Sequence, residues 1–209
     1  MITHLGHSSV LIETEQVRLL IDPGNFSSHW HGLTNLNAIV VTHSHADHID
    51  MDHLPGLLDA NPGVRLIVEP SIAETYHLTD VDMLPPGSSI NLGSTTVEAL
   101  GGLHAIIHRD IDRIGNIGVL VRTPGEPTLF HPGDAIDTAP PGVDILAIPA
   151  HAPWCAMKET IDFVRAVDAP QGFLIHDGLL NDRGWNLTFN RLSDMTATTL
   201  GDHRDMKPF

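Results

Sequence analysis

The stretch Val40 to Asp50, VVTHSHADHID, places His43, His45, Asp47 and His48 within six residues. Imidazole and carboxylate are the side chains from which zinc, iron or manganese sites are built. His and Asp clustered at such spacing read as a metal site rather than as a polar loop. If the chain stays extended from Val40 through His45, His43 and His45 point to the same side, because side chains alternate along a strand. Asp47 and His48 then fall on the turn that follows, so two pairs of ligand-type groups can face one pocket.

A site of this kind needs ligands from elsewhere in the chain. Four more positions sit at strand ends followed by a turn: His104 after EALGGL, Asp134 after LFHPG, His151 after ILAIPA and His176 after GFLI. Strands lying side by side would bring all four to one sheet edge, and pattern alone does not choose among them. His108 lies four residues after His104, on the same side if residues 105–107 are extended.

The elements that must position these residues are legible in outline. ITHLG, SVLIET and VRLLIDPG are short β-rich runs, as in a meander. NAIVVTH is continuously apolar up to the histidines, which predicts a strand buried on both faces. ADHIDMDHLPGLLDANPG predicts a helix entered at Ala46 or Asp47 and broken or kinked near Pro55. VRLIVEP predicts another strand and SIAETYHL a short helix. Turns and strands fill residues 83–100, and HAIIH, GNIGVLVRTPG, PTLFHPGD, VDILAIPA and GFLIHDG continue the strand pattern. AMKETIDFVRAVDAP has helical spacing, and LTFNRLSDMTATTLG predicts a last helix with Gly201 just past its end. The pattern yields a mixed α/β chain rich in strands, read as a single domain over residues 1–209 because nothing resembles a linker.

Composition narrows the function classes. The net charge of −15 argues against nucleic acid and anionic membrane surfaces as partners, since both need clustered Lys and Arg. A small-molecule substrate is expected instead. Cys155 is the lone cysteine, so no intrachain disulfide forms. MITHLGHSSVLIE has no basic segment followed by a long apolar run, and no stretch approaches the ~18 apolar residues of a membrane span. A cytoplasmic protein is the expectation.

THSHADH matches the H-x-H-x-D-H signature of the metallo-β-lactamase superfamily, which the chain resembles over most of its length. LGHSSVLIE and LLIDPG, then GGLHAIIHRDI, LFHPGD and GFLIHDG, look like motifs of its lactonase-like branch of small metal-dependent hydrolases, which includes the ascorbate-6-phosphate lactonases. The resemblance implies a four-layer αββα sandwich of two mixed β-sheets with a dinuclear metal site at their edge. It implies His43, His45 and His104 on one ion, Asp47, His48 and His176 on the other, and Asp134 bridging them. His104 is favoured over His108 because it follows the Gly101-Gly102 turn, as the motif expects.

The remaining residues near these motifs have expected roles as well. His7 and His151 are candidates for contact with substrate. His131 is expected to orient the Asp134 loop, and Asp22 to support a ligand by hydrogen bonding. Cys155 is expected to be a small half-buried residue rather than a nucleophile. Two divalent ions, zinc first and manganese or iron next, would activate a water for attack on an ester, lactone or phosphoester. Asp47 would orient that water and take its proton. His7 or His151 are candidates to protonate the leaving group, and Arg109, Arg113 and Arg183 are the cations nearest the motifs. The alternatives are an iron-dependent oxidoreductase on the same fold and an inactive metal-binding member.

Overall fold

The computed structural model describes residues 1–208. The first sheet contains β1 (Ile2–His4), β2 (Val10–Glu13), β3 (Arg18–Ile21), β4 (Ala38–Val41), β5 (Arg65–Val68) and β6 (Asp82–Met83), side by side in chain order. β1 to β3 form the antiparallel meander, and β3 to β6 run parallel. Parallel neighbours need crossovers. Helix α1 (Leu54–Ala60) lies in the one from β4 to β5, and α2 (Pro70–Tyr76) in the one from β5 to β6.

The second sheet repeats the plan. It contains β7 (Ser89–Leu92), β8 (Thr95–Leu103), β9 (Gly115–Arg122), β10 (Leu129–His131), β11 (Ile145–Pro149), β12 (Gln171–Ile175) and β13 (Thr199–Gly201), again in chain order. β7 to β10 are antiparallel and β10 to β13 parallel. Helices α3 (Met157–Val167) and α4 (Asp182–Met195) cross from β11 to β12 and from β12 to β13.

Three apolar cores separate four layers, as in the αββα sandwich. Alternation within single strands shows this directly. Leu19, Ile21, Ala38 and Val40 enter the core between the sheets, where they meet Val97, Val119 and Ile175. Leu20, Ile39 and Val41 point the other way, onto Leu54 and Leu57 of α1 and Ile72 of α2. On the far side, Leu146, Ile148 and Leu174 pack on Phe163 and Val164 of α3 and Leu192 of α4. A strand buried on both faces must be apolar at every position, which is why β4 reads as a continuous run. Each buried Val, Ile, Leu or Phe side chain contributes roughly 1.5–3 kcal/mol through burial. Among the described residues, no helix is long and apolar enough to cross a membrane.

Three local expectations are corrected. Residues 46–53 form turns, and α1 begins only at Leu54, with Pro55 in its first turn. The Asp50 N–H is drawn to the Pro23 carbonyl, which pulls this segment away from a helical path, and a first-turn proline loses no helical bond. The last helix starts earlier, at Asp182, where the Asn181 side chain accepts from the Arg183 and Gly184 N–H groups. It ends at Met195, and Thr199–Gly201 joins the sheet as β13 alongside β12, since threonine's β-branch favours extended backbone. HAIIH is irregular, because β8 stops at Leu103 and the Ala105 N–H bonds across to the Asp134 carbonyl.

Candidate metal centre

β8 is antiparallel to β9, which is antiparallel to β10, so β8 and β10 run the same way, as does β12. Their C-terminal ends therefore share one edge, where His104, Asp134 and His176 emerge. The C-terminal end of β4 joins them through a bond between the sheets, from the Ile117 N–H to the Thr42 carbonyl.

β4 ends at Val41, before the histidines. His43 and His45 converge all the same, with His43 Nε2 3.1 Å from His45 Nδ1. The loop is turned by bonds from the His48 and Ile49 N–H groups to the His45 carbonyl. Gly24 lies hard against it: a Cβ there would sit 1.8 Å from the Asp47 carbonyl oxygen.

The hydrogen bonds fix which ring nitrogen of each histidine is free. A ring that gives its proton to an acceptor at one nitrogen presents a lone pair at the other. His48 Nδ1 donates to Asp22 Oδ2 at 2.7 Å, His104 Nδ1 to the Ala105 carbonyl at 2.7 Å and His176 Nδ1 to the His151 carbonyl at 2.7 Å. The Thr42 hydroxyl donates to Asp22 Oδ2, so its oxygen accepts from His43 Nδ1. All four rings thus aim Nε2 lone pairs inward.

What they face is another acceptor. Asp134 Oδ1 lies 3.1 Å from His48 Nε2, and Asp134 Oδ2 lies 3.2 Å from His176 Nε2, 3.4 Å from His104 Nε2 and 3.8 Å from His43 Nε2. Asp47 Oδ2 lies 3.4 Å from His176 Nε2 and 3.9 Å from His48 Nε2. The buried His104 Nε2, His176 Nε2 and Asp134 Oδ1 make no hydrogen bond. Facing lone pairs repel unless a cation lies between them. Two donor atoms on one tetrahedral ion, at ~2.0–2.2 Å from it, lie about 3.3 Å apart, close to the spacings here. The donor set therefore fits divalent metal ions. It divides into His43, His45, His104 and Asp134 on one side and His7, Asp47, His48 and His176 on the other.

In the metal-free chain protons take the place of cations. Burial alone would lower His48 and His176. The Asp134 and Asp22 carboxylates outweigh it and hold His48 well above the usual range, and the nearby Asp134 and Asp47 carboxylates push His176 up to about 9. Burial would raise both carboxyls, yet both stay well below the usual carboxylate range. His48 and His43 outweigh burial at Asp134, and the nearby His176 ring with the bond from His7 outweighs it at Asp47. Burial, with His48 nearby, pushes His43 the opposite way, well down.

His7 differs from the other inward-facing rings. The Gly178 N–H donates to its Nδ1 at 3.1 Å, so the ring proton sits on Nε2, which donates to Asp47 Oδ2 at 3.0 Å. His7 in this tautomer holds Asp47 by a hydrogen bond and has no lone pair for a metal. His131 has the same tautomer: Nδ1 accepts from the Gly133 N–H, and Nε2 donates to the Ser8 carbonyl, which steadies the loop that carries Asp134. Asp22 is fully buried under His48 and also accepts from the Thr42 N–H. His108 is exposed beside Asp110, whereas His104 is buried at the centre. His151 contributes its carbonyl, and its ring is exposed. Cys155 is half-buried, bonds the Thr160 hydroxyl, and is pushed up by burial.

Some residues at the site carried no usable signal in the sequence. The Trp154 indole N–H donates to Asp134 Oδ2 at 3.0 Å, Asn116 Oδ1 accepts from the Asp134 N–H, and the Ser8 hydroxyl lies 3.3 Å from His48 Nε2. Away from the centre, His31, Asp50 and His53 also cluster. The two rings there are stacked at 4.3 Å and 19°, so their in-plane lone pairs do not converge.

The Beta-lactamase superfamily domain family matches residues 1–172. Protein Rv0786c of Mycobacterium tuberculosis is 41% identical over 202 residues, covering 94% of this chain and 93% of its own. A UPF0173 metal-dependent hydrolase of Rhizobium meliloti is 30% identical over 145 residues, covering 62% of this chain and 61% of its own, so the match spans about three fifths of either protein. Among solved structures, the metallo-β-lactamase fold protein YhfI of Bacillus subtilis superposes with a TM-score of 0.69 at 14% identity, covering 95% of this chain and 90% of that one. CmlA, a diiron β-hydroxylase from Streptomyces venezuelae, gives 0.71 at 18% identity, covering 97% of this chain and 52% of CmlA. At such identities the structural likeness is one of fold.

Proposed function

This chain belongs to the metallo-β-lactamase superfamily, and from that premise we propose that it is a hydrolase acting on a small-molecule ester, lactone or phosphoester through two divalent ions, zinc first among them. The observation that carries the reading is the ring of Nε2 lone pairs aimed at the two oxygens of Asp134. His43, His45 and His104 would hold one ion, Asp47, His48 and His176 the other, and Asp134 would lie between them. The name of the Rhizobium relative points the same way. Two such ions supply an activated water near neutral pH and polarise the substrate's oxygen.

The chain's own residues do the rest. Asp22 and Thr42 lock the His48 and His43 rings with their lone pairs inward. His7 holds Asp47 Oδ2, which leaves Oδ1 to orient the attacking water and accept its proton. Asp47 and His45 are the half-buried members of the set, so substrate approaches from their side. The net charge of −15 favours a small-molecule substrate over nucleic acid or a membrane surface, and the lone Cys155 accords with the cytoplasm.

Metal-loaded protein should turn over at least one class in a panel of esters, lactones and phosphodiesters. Asp47→Ala should lose about 10²–10⁴-fold of that rate. A wild type inert on the whole panel, or a variant as fast as the wild type, would sink the reading. A second reading, an iron-dependent oxidoreductase, draws on the same nitrogen and oxygen donors, which accept iron as well. Oxygen consumption by the iron-loaded protein, with no hydrolysis, would favour it.

A further inference from the structure

A cavity of about 600 Å³ opens beside the candidate centre, a size that suits a small ligand. It is tied to the centre at three points. Ala105 follows His104 and Ala135 follows Asp134, while Trp154, which bonds Asp134 Oδ2, forms part of the wall. Ile106, Ile136 and Phe163 give it an apolar lining, and Ile106 is 63% exposed.

The charges around this lining are unbalanced. Asp137, Glu159 and Asp162 border it, against one cation, Arg113. That cation is already engaged: its Nε donates to the His104 carbonyl at 2.6 Å, and its Nη2 lies 3.4 Å from the Leu103 carbonyl and 3.9 Å from Asp137. It braces the end of β8 rather than waiting for an anion. Glu159 accepts from the Ala156 N–H at the start of α3, and Asp162 lies one turn further along the helix. Of the other arginines near the motifs, Arg109 is 88% exposed beside Asp110, and Arg183 is exposed on α4. A phosphate or carboxylate entering here would meet net negative charge.

We propose that this cavity takes the non-reacting part of the substrate, and that this part is an apolar chain bearing a cationic, ammonium-type group. The apolar stem lies along Ile106, Ile136 and Phe163, and the cation sits among Asp162, Glu159 and Asp137. The proposal rests on the hydrolase reading and narrows it to cationic esters or lactones, away from phosphorylated substrates.

Calorimetric titration of the metal-loaded protein with hexyltrimethylammonium, hexanol and hexanesulfonate tests the cavity without any reaction. At low salt the cation should bind about tenfold more tightly than the sulfonate, with hexanol between, as expected of a few partly exposed charges. The ratio should collapse towards one at about 0.5 M salt. Asp162→Lys should reverse the order, and Asp162→Asn should narrow it. Equal affinities, tighter sulfonate binding or an Asp162→Lys variant with unchanged order would overturn the proposal. Turnover of 4-nitrophenyl esters of 6-(trimethylammonio)hexanoate, hexanoate and adipate separates the two readings. Binding preference with no ester hydrolysed removes the hydrolase and keeps the cationic cavity. Hydrolysis blind to charge removes the cavity proposal and keeps the hydrolase.

Discussion

His48 donates its Nδ1 proton to Asp22 Oδ2 across 2.7 Å, with both side chains fully buried. Asp22 directly follows β3, His48 lies in the loop after β4, and the bond sets the direction of the His48 Nε2 lone pair. Asp22→Asn halves the acceptor capacity of the group and removes its charge. Metal affinity should fall about 10–100-fold, measured by chelator competition. A change of less than twofold would show that the ring is held by other means.

His7 should separate rate from metal content. Its Nε2 proton goes to Asp47, so His7→Phe should leave the bound metal unchanged while lowering kcat by roughly 10–100-fold. If the variant instead retained about half the metal, His7 would be a ligand.

Gly24 presents a steric case. A Cβ would fall 1.8 Å from the Asp47 carbonyl oxygen and 2.5 Å from the His48 nitrogen, both backbone atoms that cannot swing aside. Gly24→Ala should cost more than about 3 kcal/mol in denaturant unfolding and loosen metal binding with it. Gly56→Ala, where a Cβ meets nothing within 4 Å, is the control that should leave both unchanged or slightly improved. Equal behaviour of the two variants would contradict the packing described.

The metal-free chain should lose stability as the solution turns alkaline. Burial would lower His176, but the Asp134 and Asp47 carboxylates beside it outweigh burial and raise it to about 9. A raised pKa means the folded state holds the proton more tightly than the unfolded state does. That contribution is complete below about pH 6.5 and is lost as pH rises through about 9. Asp134, held below the usual carboxylate range, contributes in the opposite sense, above about pH 4. Melting of the metal-free protein should drop by about 5 °C between pH 6.5 and 9.5. A flat or rising melting temperature over that interval would contradict the electrostatics of the centre.

Much of this architecture could be read from the chain because β4 and its neighbours bury both faces, which forces continuous apolar runs with polar residues only at their ends. His43, Asp134 and His176 each follow such a run, so their convergence was legible as a class of possibility. Strand parity did not choose between His104 and His108, which share it; the family resemblance favoured His104 through the Gly101-Gly102 turn. The structure separates them through the end of β8 at Leu103 and the turn that buries the first ring while exposing the second. Trp154 was invisible as a partner of Asp134, since a tryptophan in an irregular loop has no periodicity to place it. The positive φ of His7 (50°), Asp22 (49°) and His176 (56°) was equally hidden. Strained backbone of this kind at non-glycine residues is held by surrounding packing, which no local pattern encodes. The helix expected from Ala46 failed for a related reason: a distant acceptor, the Pro23 carbonyl, competes for the Asp50 N–H.

With the Asp134 carboxylate between two ions, metal content per chain becomes the decisive quantity. Elemental analysis of protein reconstituted with zinc, freed of excess by gel filtration, measures it most directly. The wild type should hold about two zinc ions per chain, with a clear loss in Asp134→Ala. One ion or none in the wild type, or an Asp134→Ala variant that keeps both, would contradict that arrangement.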